Sequence, residues 1–212
     1  MYKILLVAIS LLSIQAKSTD FSFYVFACEW AGSVCQTNDC NQDEGVSTAF
    51  WNIHGLWPSD GSMGPNYCTE EKFDASQIKD LKEDLAKYWN GLYSSADAFH
   101  SHEWEKHGTC SKMTQHEFFS TVLKLAESLD IYNTFAKHGI SPGQPVDCDK
   151  VAQVIQQEYG VESYALSIDN KGNLAALELC IDLDLKVRDC PTAQKCSGNQ
   201  NYPSFTASLI SK

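Results

Sequence analysis

Four side chains within residues 99–110 have the types and spacing that acid–base chemistry on a phosphate needs. If this segment is helical, at about 100° per residue, the four project from one face within roughly 140° of each other. They are His102, Glu103, Lys106 and His107. The alternative is a solvated helix face of mixed charge. Two histidines, and a nearby Cys110 that can anchor the segment through a disulfide, favour the chemical interpretation.

A third histidine, His54, lies in the apolar segment 50–58, which we predict to be a strand that ends at this residue. Gly55 and Pro58 are expected to turn the chain beyond it. Taken alone, His54 fits a satisfied core histidine as well as a catalytic one. The tryptophans on either side of it, Trp51 and Trp57, fit plain core packing equally well.

The first 16 residues are typical of a secretory signal peptide, with Lys3 ahead of an apolar run too short to span a bilayer. Cleavage after Ala16 would leave residues 17–212, which is enough for one domain with its own core. No later stretch is long and apolar enough to span a membrane, so no membrane association is expected.

The chain is acidic, with a formal net charge of -11, or -12 once the signal segment and its Lys3 are removed. Tight capture of a long polyanion needs a basic surface that releases counterions, so the composition argues against that class of nucleic-acid binder. A local cationic cleft can still bind RNA transiently, above all in an acidic compartment where histidines are charged.

Nine cysteines in a secreted chain indicate disulfides. One must remain unpaired, and we expect it to be Cys28, an inert thiol in a buried strand. Cys35 and Cys40 are close enough in sequence for a small local disulfide. Zinc is the alternative use of clustered cysteines, but the chain has no Cys-x-x-Cys pair, and its central histidines miss the His-Glu-x-x-His spacing by one residue.

Helices interleaved with mostly antiparallel strands predict a single α+β domain. Strands are predicted at 20–30, 50–58, 161–168, 174–181, 183–187 and 204–209, and helices at 74–90, 99–110, 114–129 and 149–159. A loop is expected to contain Cys35 and Cys40, and a linker to occupy 142–145.

Two segments about fifty residues apart resemble the signature segments of the ribonuclease T2 family of secretory acid ribonucleases. They read Ile53-His54-Gly55-Leu56-Trp57-Pro58 and His102-Glu103-Trp104-Glu105-Lys106-His107-Gly108-Thr109-Cys110. The strand that ends at Trp30 and the C-terminal cysteine spacing extend the resemblance over the mature chain. It implies a central antiparallel sheet flanked by helices, and metal-independent cleavage of single-stranded RNA with little base preference.

Cleavage of RNA without a metal needs a base for the ribose 2′-OH, an acid for the departing 5′-oxygen and cations for the growing phosphoryl charge. The resemblance implies that His107 is the base and His54 the acid, with a 2′,3′-cyclic phosphate and then a 3′-phosphate as products. It implies that His102, Glu103 and Lys106 hold the phosphate. Neighbouring cations are expected to keep Glu103 ionised, and histidines in opposite protonation states predict a bell-shaped pH profile.

Unpaired bases are held by aromatic stacking, which does not read sequence. By resemblance, Trp57 forms one wall of a first base site, with Tyr67 as its partner, and Phe99 stacks in a second. Core packing is the alternative for each. Ser59 stands where some members carry an acidic residue that contacts adenine, so no strong adenine preference is expected. Glu29 replaces a usual Gln and could retune the second base site.

The resemblance also implies four disulfides: Cys35–Cys40, Cys68–Cys110, Cys148–Cys196 and Cys180–Cys190. No cofactor and no metal are expected, the substrate is single-stranded RNA, and the protein is expected to be a monomer that is secreted or held in a lysosome-like acidic compartment. Two other classes are a catalytically silent RNA-binding member of the fold and a secreted storage or interaction protein. The intact histidine segments argue against the first, and only the acidic charge supports the second.

Overall fold

An antiparallel sheet forms the centre of the computed structural model, which describes residues 20–40, 50–61 and 64–205. The strands are β1 (Phe23–Glu29), β2 (Asn52–Ser59), β3 (Gln144–Asp147), β4 (Ala165–Ile168), β5 (Leu174–Ile181), β6 (Val187–Arg188) and β7 (Asn199–Tyr202). The sheet has the order β2-β1-β5-β4, with β6 also paired to β5, while β3 and β7 form a separate pair. Prediction of an α+β domain is confirmed.

Strand β1 lies inside the sheet because nearly all of its side chains are apolar. Its alternate residues Tyr24, Phe26 and Cys28 are each buried in the core. Antiparallel pairing with β2 on one side and β5 on the other satisfies its backbone. Strand β2 is therefore at the edge of the sheet, where a proline such as Pro58 is tolerated.

Helices cover the core face of the sheet. They are α1 (Ala31–Thr37), α2 (Lys82–Tyr88), α3 (Ala96–Lys106), α4 (Gln115–Leu129), α5 (Ile131–Lys137) and α6 (Cys148–Tyr159). The predicted capping box opens α4, with the Thr114 hydroxyl accepting from the Glu117 N–H and the Glu117 carboxylate accepting from the Thr114 N–H. In the part of the chain that is described, no helix is long and apolar enough to cross a membrane.

Two helices differ from the prediction. The expected loop around Cys35 is helix α1, whose Ala31 and Val34 are buried against the core, so tertiary burial overrides a local sequence rich in small and polar residues. Helix α5 follows α4 after the single residue Asp130, which has a left-handed backbone (φ 38°). One such residue redirects the chain without the glycine that usually marks a turn.

Three further boundaries also differ. The predicted strand 183–187 is mostly a turn in which the Asp182 carboxylate accepts backbone N–H groups, and only β6 remains. The predicted linker 142–145 contributes to β3. The predicted helix 74–90 starts with a 3₁₀ turn capped by Asp74 and becomes α-helical only at α2.

Of the predicted strand 204–209, residues 204–205 are irregular, and the rest lies outside the described residues. The predicted signal segment lies outside them too.

Four disulfides join the pairs that the resemblance implies: Cys35–Cys40, Cys68–Cys110, Cys148–Cys196 and Cys180–Cys190. Cys28 is unpaired and buried, and burial raises the pKa of its thiol well above the usual value. A buried thiol that stays protonated is inert.

Candidate active site

The His54 side chain points away from the core because β2 contains a bulge. The register of β2 against β1 slips by one residue next to Ala27, which leaves His54 without a direct partner. Strict alternation would put His54 on the same face as Leu56, which is fully buried. The bulge lets Ile53 and Leu56 both enter the core and turns His54 outward. The predicted strand end at His54 is wrong, because β2 continues to Ser59.

Helix α3 supplies the second set of candidates. His102, Glu103 and Lys106 lie on this helix, and His107 is the residue at which it ends. The His107 N–H still donates to the Glu103 carbonyl oxygen at 3.0 Å, which keeps His107 in helical register. Their burial is graded: Glu103 is buried, Lys106 and His107 are half-buried, and His102 is exposed.

Glu103 links the two segments. It is only 1% exposed, and its Oε2 accepts a hydrogen bond of 3.0 Å from the indole N–H of Trp57. The carboxylate lies against Gly55, where any Cβ would collide with it. Burial raises the pKa of Glu103 to about 7, although His54, Trp57 and Lys106 oppose the rise. The expectation that cations keep Glu103 ionised is therefore wrong at acidic pH, because desolvation outweighs their charge.

The His54 ring is held on three sides. Its Nδ1 is 2.7 Å from Glu29 Oε1, and the rings of Trp57 and Phe99 meet it edge-on with centroids at 5.3 and 5.4 Å. Burial lowers the pKa of His54, but the hydrogen bond and charge of Glu29, with the charges of Glu103 and Glu178, raise it above its usual value overall.

His107 has the opposite electrostatics. Burial, followed by the charges of Lys106, His102 and His54, lowers the pKa of His107 to about 3. Its ring lies beside Trp57, with centroids 5.5 Å apart, and its buried Nδ1 has no hydrogen-bond partner within residues 20–40, 50–61 and 64–205. Burial and Lys106 also lower the pKa of His102. Between about pH 4 and the ordinary imidazole pKa of about 6.5, His107 is therefore neutral while His54 is charged.

The three predicted base-binding aromatics differ in setting. Trp57 and Phe99 both contact His54 and so lie within the candidate site. Tyr67 is 49% exposed on the loop beyond β2, where its N–H donates to the Lys106 carbonyl oxygen at 2.9 Å. Tyr67 is therefore attached to the end of α3 through its backbone, with its side chain open to solvent.

A disulfide fixes that loop. Cys68 is bonded to Cys110, just beyond α3, and the Cys68 N–H donates to the Thr109 hydroxyl at 3.2 Å. Together with the Tyr67 backbone bond, these contacts hold the loop against the end of α3.

Three side chains near His54 or its partner Glu29 have settings that the sequence did not predict. Glu29, expected in a base site, instead bonds His54. Glu178 projects from β5 opposite Ala27, close enough for the His54 charge to act on its pKa. Burial and the Glu29 charge raise the pKa of Tyr93 to about 12. Glu29 and Glu178 come from strands that are distant in sequence, so the pairing of β1 with β2 and β5 is what brings them close to His54.

The other histidines lie elsewhere. His100 lies on the buried side of α3, with Nε2 at 2.9 Å from the Trp89 carbonyl oxygen. His116 and His138 lie at the surface against Asp80 and Glu158. Among residues 20–40, 50–61 and 64–205, no group of three or more His, Cys, Asp or Glu is arranged to hold a metal ion.

The chain matches one family over most of its length. The sequence profile of the Ribonuclease T2 family matches residues 21–190. "Ribonuclease 1" of Arabidopsis thaliana is 34% identical over 95% of this chain and 95% of its own. The "Extracellular ribonuclease LE" of Solanum lycopersicum is 32% identical over 97% of this chain and 96% of its own.

Solved structures agree with the sequence comparisons. The crystal structure of RNase NT in complex with 5′-AMP has a TM-score of 0.77 at 28% identity, and it covers 88% of this chain and 100% of that one. The protein therefore belongs to the ribonuclease T2 family and is an RNA-cleaving endoribonuclease.

Proposed function

We propose that this endoribonuclease cleaves single-stranded RNA without a metal ion, by attack of the ribose 2′-OH on the adjacent phosphate. One observation supports this most directly: two histidines that both pack against Trp57 have opposite pKa shifts, which leaves His107 neutral and His54 charged between about pH 4 and 6.5. The first product is a 2′,3′-cyclic phosphate, which water then opens to a 3′-phosphate.

His107 acts as the general base in this scheme. A pKa of about 3 leaves its imidazole neutral above pH 4, so it can take the proton of the 2′-OH while the oxygen attacks phosphorus. A bound phosphate adds negative charge beside this ring and moves its pKa upward. The base therefore becomes stronger when the substrate is present.

His54 acts as the general acid. Its Nδ1 is engaged by Glu29, which leaves Nε2 to give a proton to the departing 5′-oxygen. In the second step the roles reverse: His54 takes a proton from water, and His107 returns one to the 2′-oxygen. The enzyme ends in the protonation state in which it began.

The pentacovalent phosphate is stabilised by the charged face of α3. Lys106 supplies positive charge, and His102 adds to it at pH values low enough to protonate its ring. Glu103, with a pKa of about 7, is a neutral acid at acidic pH and can donate a hydrogen bond to a phosphoryl oxygen. Trp57 holds its other end through the indole N–H.

Low base specificity follows from the aromatic setting. Trp57 and Phe99 flank His54, and Tyr67 extends from the neighbouring loop, so bases on either side of the scissile phosphate can stack. Stacking accepts every base because each has a π-face. Ser59 adds no charge that would select adenine.

We also propose that the mature protein, residues 17–212, is a monomer that works outside the cell or in an acidic compartment of the secretory pathway. The signal-like residues 1–16 support this, as does the name of the extracellular tomato relative. N-terminal sequencing and size-exclusion chromatography of protein from an expressing culture check both points. A mature chain that retains Lys3 would contradict export.

Alanine substitution tests the assignment of acid and base. We expect His54→Ala and His107→Ala each to lower kcat on a mixed-sequence single-stranded RNA by about 10²–10⁴-fold, the usual contribution of general acid–base catalysis. His116→Ala is the matched control, because that histidine pairs with Asp80 at the surface. Unchanged kcat in either cleft variant, with circular dichroism as wild type, would overturn the proposal.

Metal independence has a separate test. Extensive dialysis against EDTA should leave the rate unchanged, because the proposed base, acid and electrostatic groups are all side chains of the protein. A rate that falls on chelation and returns with a divalent ion would show that a metal takes part.

A further inference from the structure

We propose that Glu29 is a positioning residue for the general acid: its carboxylate accepts the Nδ1–H of His54 and thereby fixes Nε2 as the nitrogen that donates to the substrate. This inference rests on the proposed function of His54. It assigns Glu29 to the acid step of cleavage instead of to base binding.

The contact is direct and sheltered. Glu29 Oε1 lies 2.7 Å from His54 Nδ1, with side-chain exposures of 15% for the acid and 30% for the histidine. A charge-assisted bond of this length in a half-buried site is stronger than an exposed ion pair. The hydrogen bond at one imidazole nitrogen determines the role of the other.

The backbone makes the contact rigid. Glu29 is the last residue of β1 and lies opposite Asn52 of β2, and the next residue, Trp30, is fully buried with its indole N–H on the Pro203 carbonyl oxygen at 2.7 Å. The bulge in β2 turns His54 toward this strand end. Trp57 and Phe99 then hold the ring edge-on from two sides.

Charged side chains on each neighbouring element act on the pKa of His54. From β1 comes Glu29, from β5 Glu178, and from α3 Glu103, all of which favour the charged imidazole. His102 and His107 of the α3 segment oppose it, since His54 and these rings repel when charged. The charge of Glu29 helps to raise the pKa of Tyr93 to about 12, so its phenol is neutral between pH 4 and 8. Of the three acids, only Glu29 bonds His54.

The proton balance of the acid step is simple. The Nε2–H bond of the imidazolium breaks as an O–H bond forms on the leaving 5′-oxygen. The imidazole becomes neutral, while Glu29 stays a carboxylate and keeps its bond to Nδ1–H. Because Glu29 favours the charged ring, His54 remains a competent acid at higher pH than it would without this carboxylate.

Two substitutions separate the charge of Glu29 from its hydrogen bond. Glu29→Gln keeps an acceptor oxygen for Nδ1–H but removes the charge, whereas Glu29→Ala removes both. Glu105→Gln is the matched control, because Glu105 pairs with Lys72 at the surface. For each, kcat/KM for a dinucleotide substrate is measured from pH 4 to 8, and the imidazole of His54 is titrated by NMR.

In the Gln variant we expect the alkaline limb of kcat/KM and the His54 titration to move together to lower pH. The rate should fall by roughly tenfold at pH 7.5 but by less than about threefold at pH 4.5, since removal of an adjacent opposite charge acts only where the proton is lost. The Ala variant should also lose kcat at pH 4.5, because the ring is no longer oriented. Glu105→Gln should match wild type.

A His54 titration that stays in place in Glu29→Gln would overturn the inference, as would a rate loss that is equal at every pH. Neither result would touch the proposed function, because wild type would still cleave RNA and His54→Ala would still be inactive. If wild type itself does not cleave RNA, the proposed function fails, while the NMR titration continues to test the contact of Glu29 with His54.

Discussion

At the scale of single residues, burial acts in opposite directions on acids and bases that share a cleft. Desolvation raises the pKa of Glu103 to about 7 and lowers that of His107 to about 3, since burial disfavours whichever form carries charge. Burial also lowers the pKa of His54, but the hydrogen bond and charge of Glu29 raise it by more. Between about pH 4 and 6.5 the candidate site therefore contains a charged imidazole, His54, and a neutral one, His107.

These two shifts have opposite effects on stability. Between about pH 4.5 and 6.5 the folded protein holds a proton on Glu103 that the unfolded chain releases, so Glu103 makes stability fall as pH rises. Over the same range the unfolded chain holds a proton on His107 that the folded protein lacks, so His107 makes stability rise with pH. The two contributions therefore oppose each other in wild type.

Glu103→Gln should leave the His107 contribution unopposed. Over pH 4.5–6.5 its free energy of unfolding should rise relative to wild type by up to about 1.4 kcal/mol per pH unit, the slope of one uncompensated proton. Urea denaturation at several pH values measures it, with Glu105→Gln as the control. Parallel curves for Glu103→Gln and wild type would mean that Glu103 titrates normally in the fold.

The identities of the catalytic candidates are readable from the sequence, because the four residues of the α3 segment lie within six positions of one another and helical geometry brings them together. The contact of Glu29 with His54 is not readable in this way. It joins residues 25 apart through a strand pair whose register depends on a bulge. Nothing local in the sequence specifies that register.

At the scale of elements, the site is a junction between β2 and α3. The bulge of β2 presents His54, and the absence of a side chain at Gly55 lets Glu103 of α3 approach the strand. A Cβ at Gly55 would also lie 2.5 Å from Trp57 Nε1, closer than packed atoms allow. The glycine is therefore required for contact between strand and helix.

Gly55→Ala should separate these elements. We expect kcat/KM to fall by at least about tenfold and stability by about 1–3 kcal/mol, the usual cost of forcing extra volume into a packed site. Steady-state kinetics and thermal unfolding on the same sample measure both. Wild-type kinetics in this variant would show that Glu103 need not pack against β2.

The Cys68–Cys110 disulfide fastens the Tyr67 loop to the end of α3 across 42 residues. Replacing both cysteines with alanine should lower stability by about 2–4 kcal/mol and raise KM, since the loop that carries Tyr67 is freed. Removal of Cys35–Cys40, which spans 5 residues, should cost less and leave KM unchanged. Equal effects of the two pairs on KM would argue against a role of this loop in binding.

Elements with strong apolar periodicity or end signals agree with their predictions: β1, α4 with its capping box, and α6 ended by Gly160. The two helices that were not predicted share a physical cause. Helices α1 and α5 are each seven residues long, too short to be stable alone, so packing against the core decides their conformation. In residues 183–187 a local turn decides the structure instead. The Asp182 carboxylate stabilises this turn, and Leu183 and Leu185 are exposed although their apolar side chains favoured a strand.

At the scale of the whole molecule, the full chain has a net charge of -11, so the candidate cations His54, His102 and Lys106 belong to an acidic protein. RNA contact is then limited to the few phosphates that His54, His102 and Lys106 can neutralise. For single strands each neutralised phosphate contributes about 0.7 to the salt slope, so log kcat/KM should fall with log salt with a slope of about -2. A slope steeper than about -5 would require an extended basic surface.

The pH dependence of RNA cleavage tests the central claim, that His107 and His54 work in opposite protonation states. Cleavage of a mixed-sequence single-stranded RNA is followed from pH 3 to 8 in EDTA, with cyclic-phosphate ends as the readout. We expect a bell whose acid limb reflects protonation of His107, whose pKa of about 3 rises when phosphate binds, and whose alkaline limb, above pH 6.5, reflects loss of the His54 proton. A rate that climbs without a maximum to pH 8, or that has no acid limb, would contradict the two-histidine account.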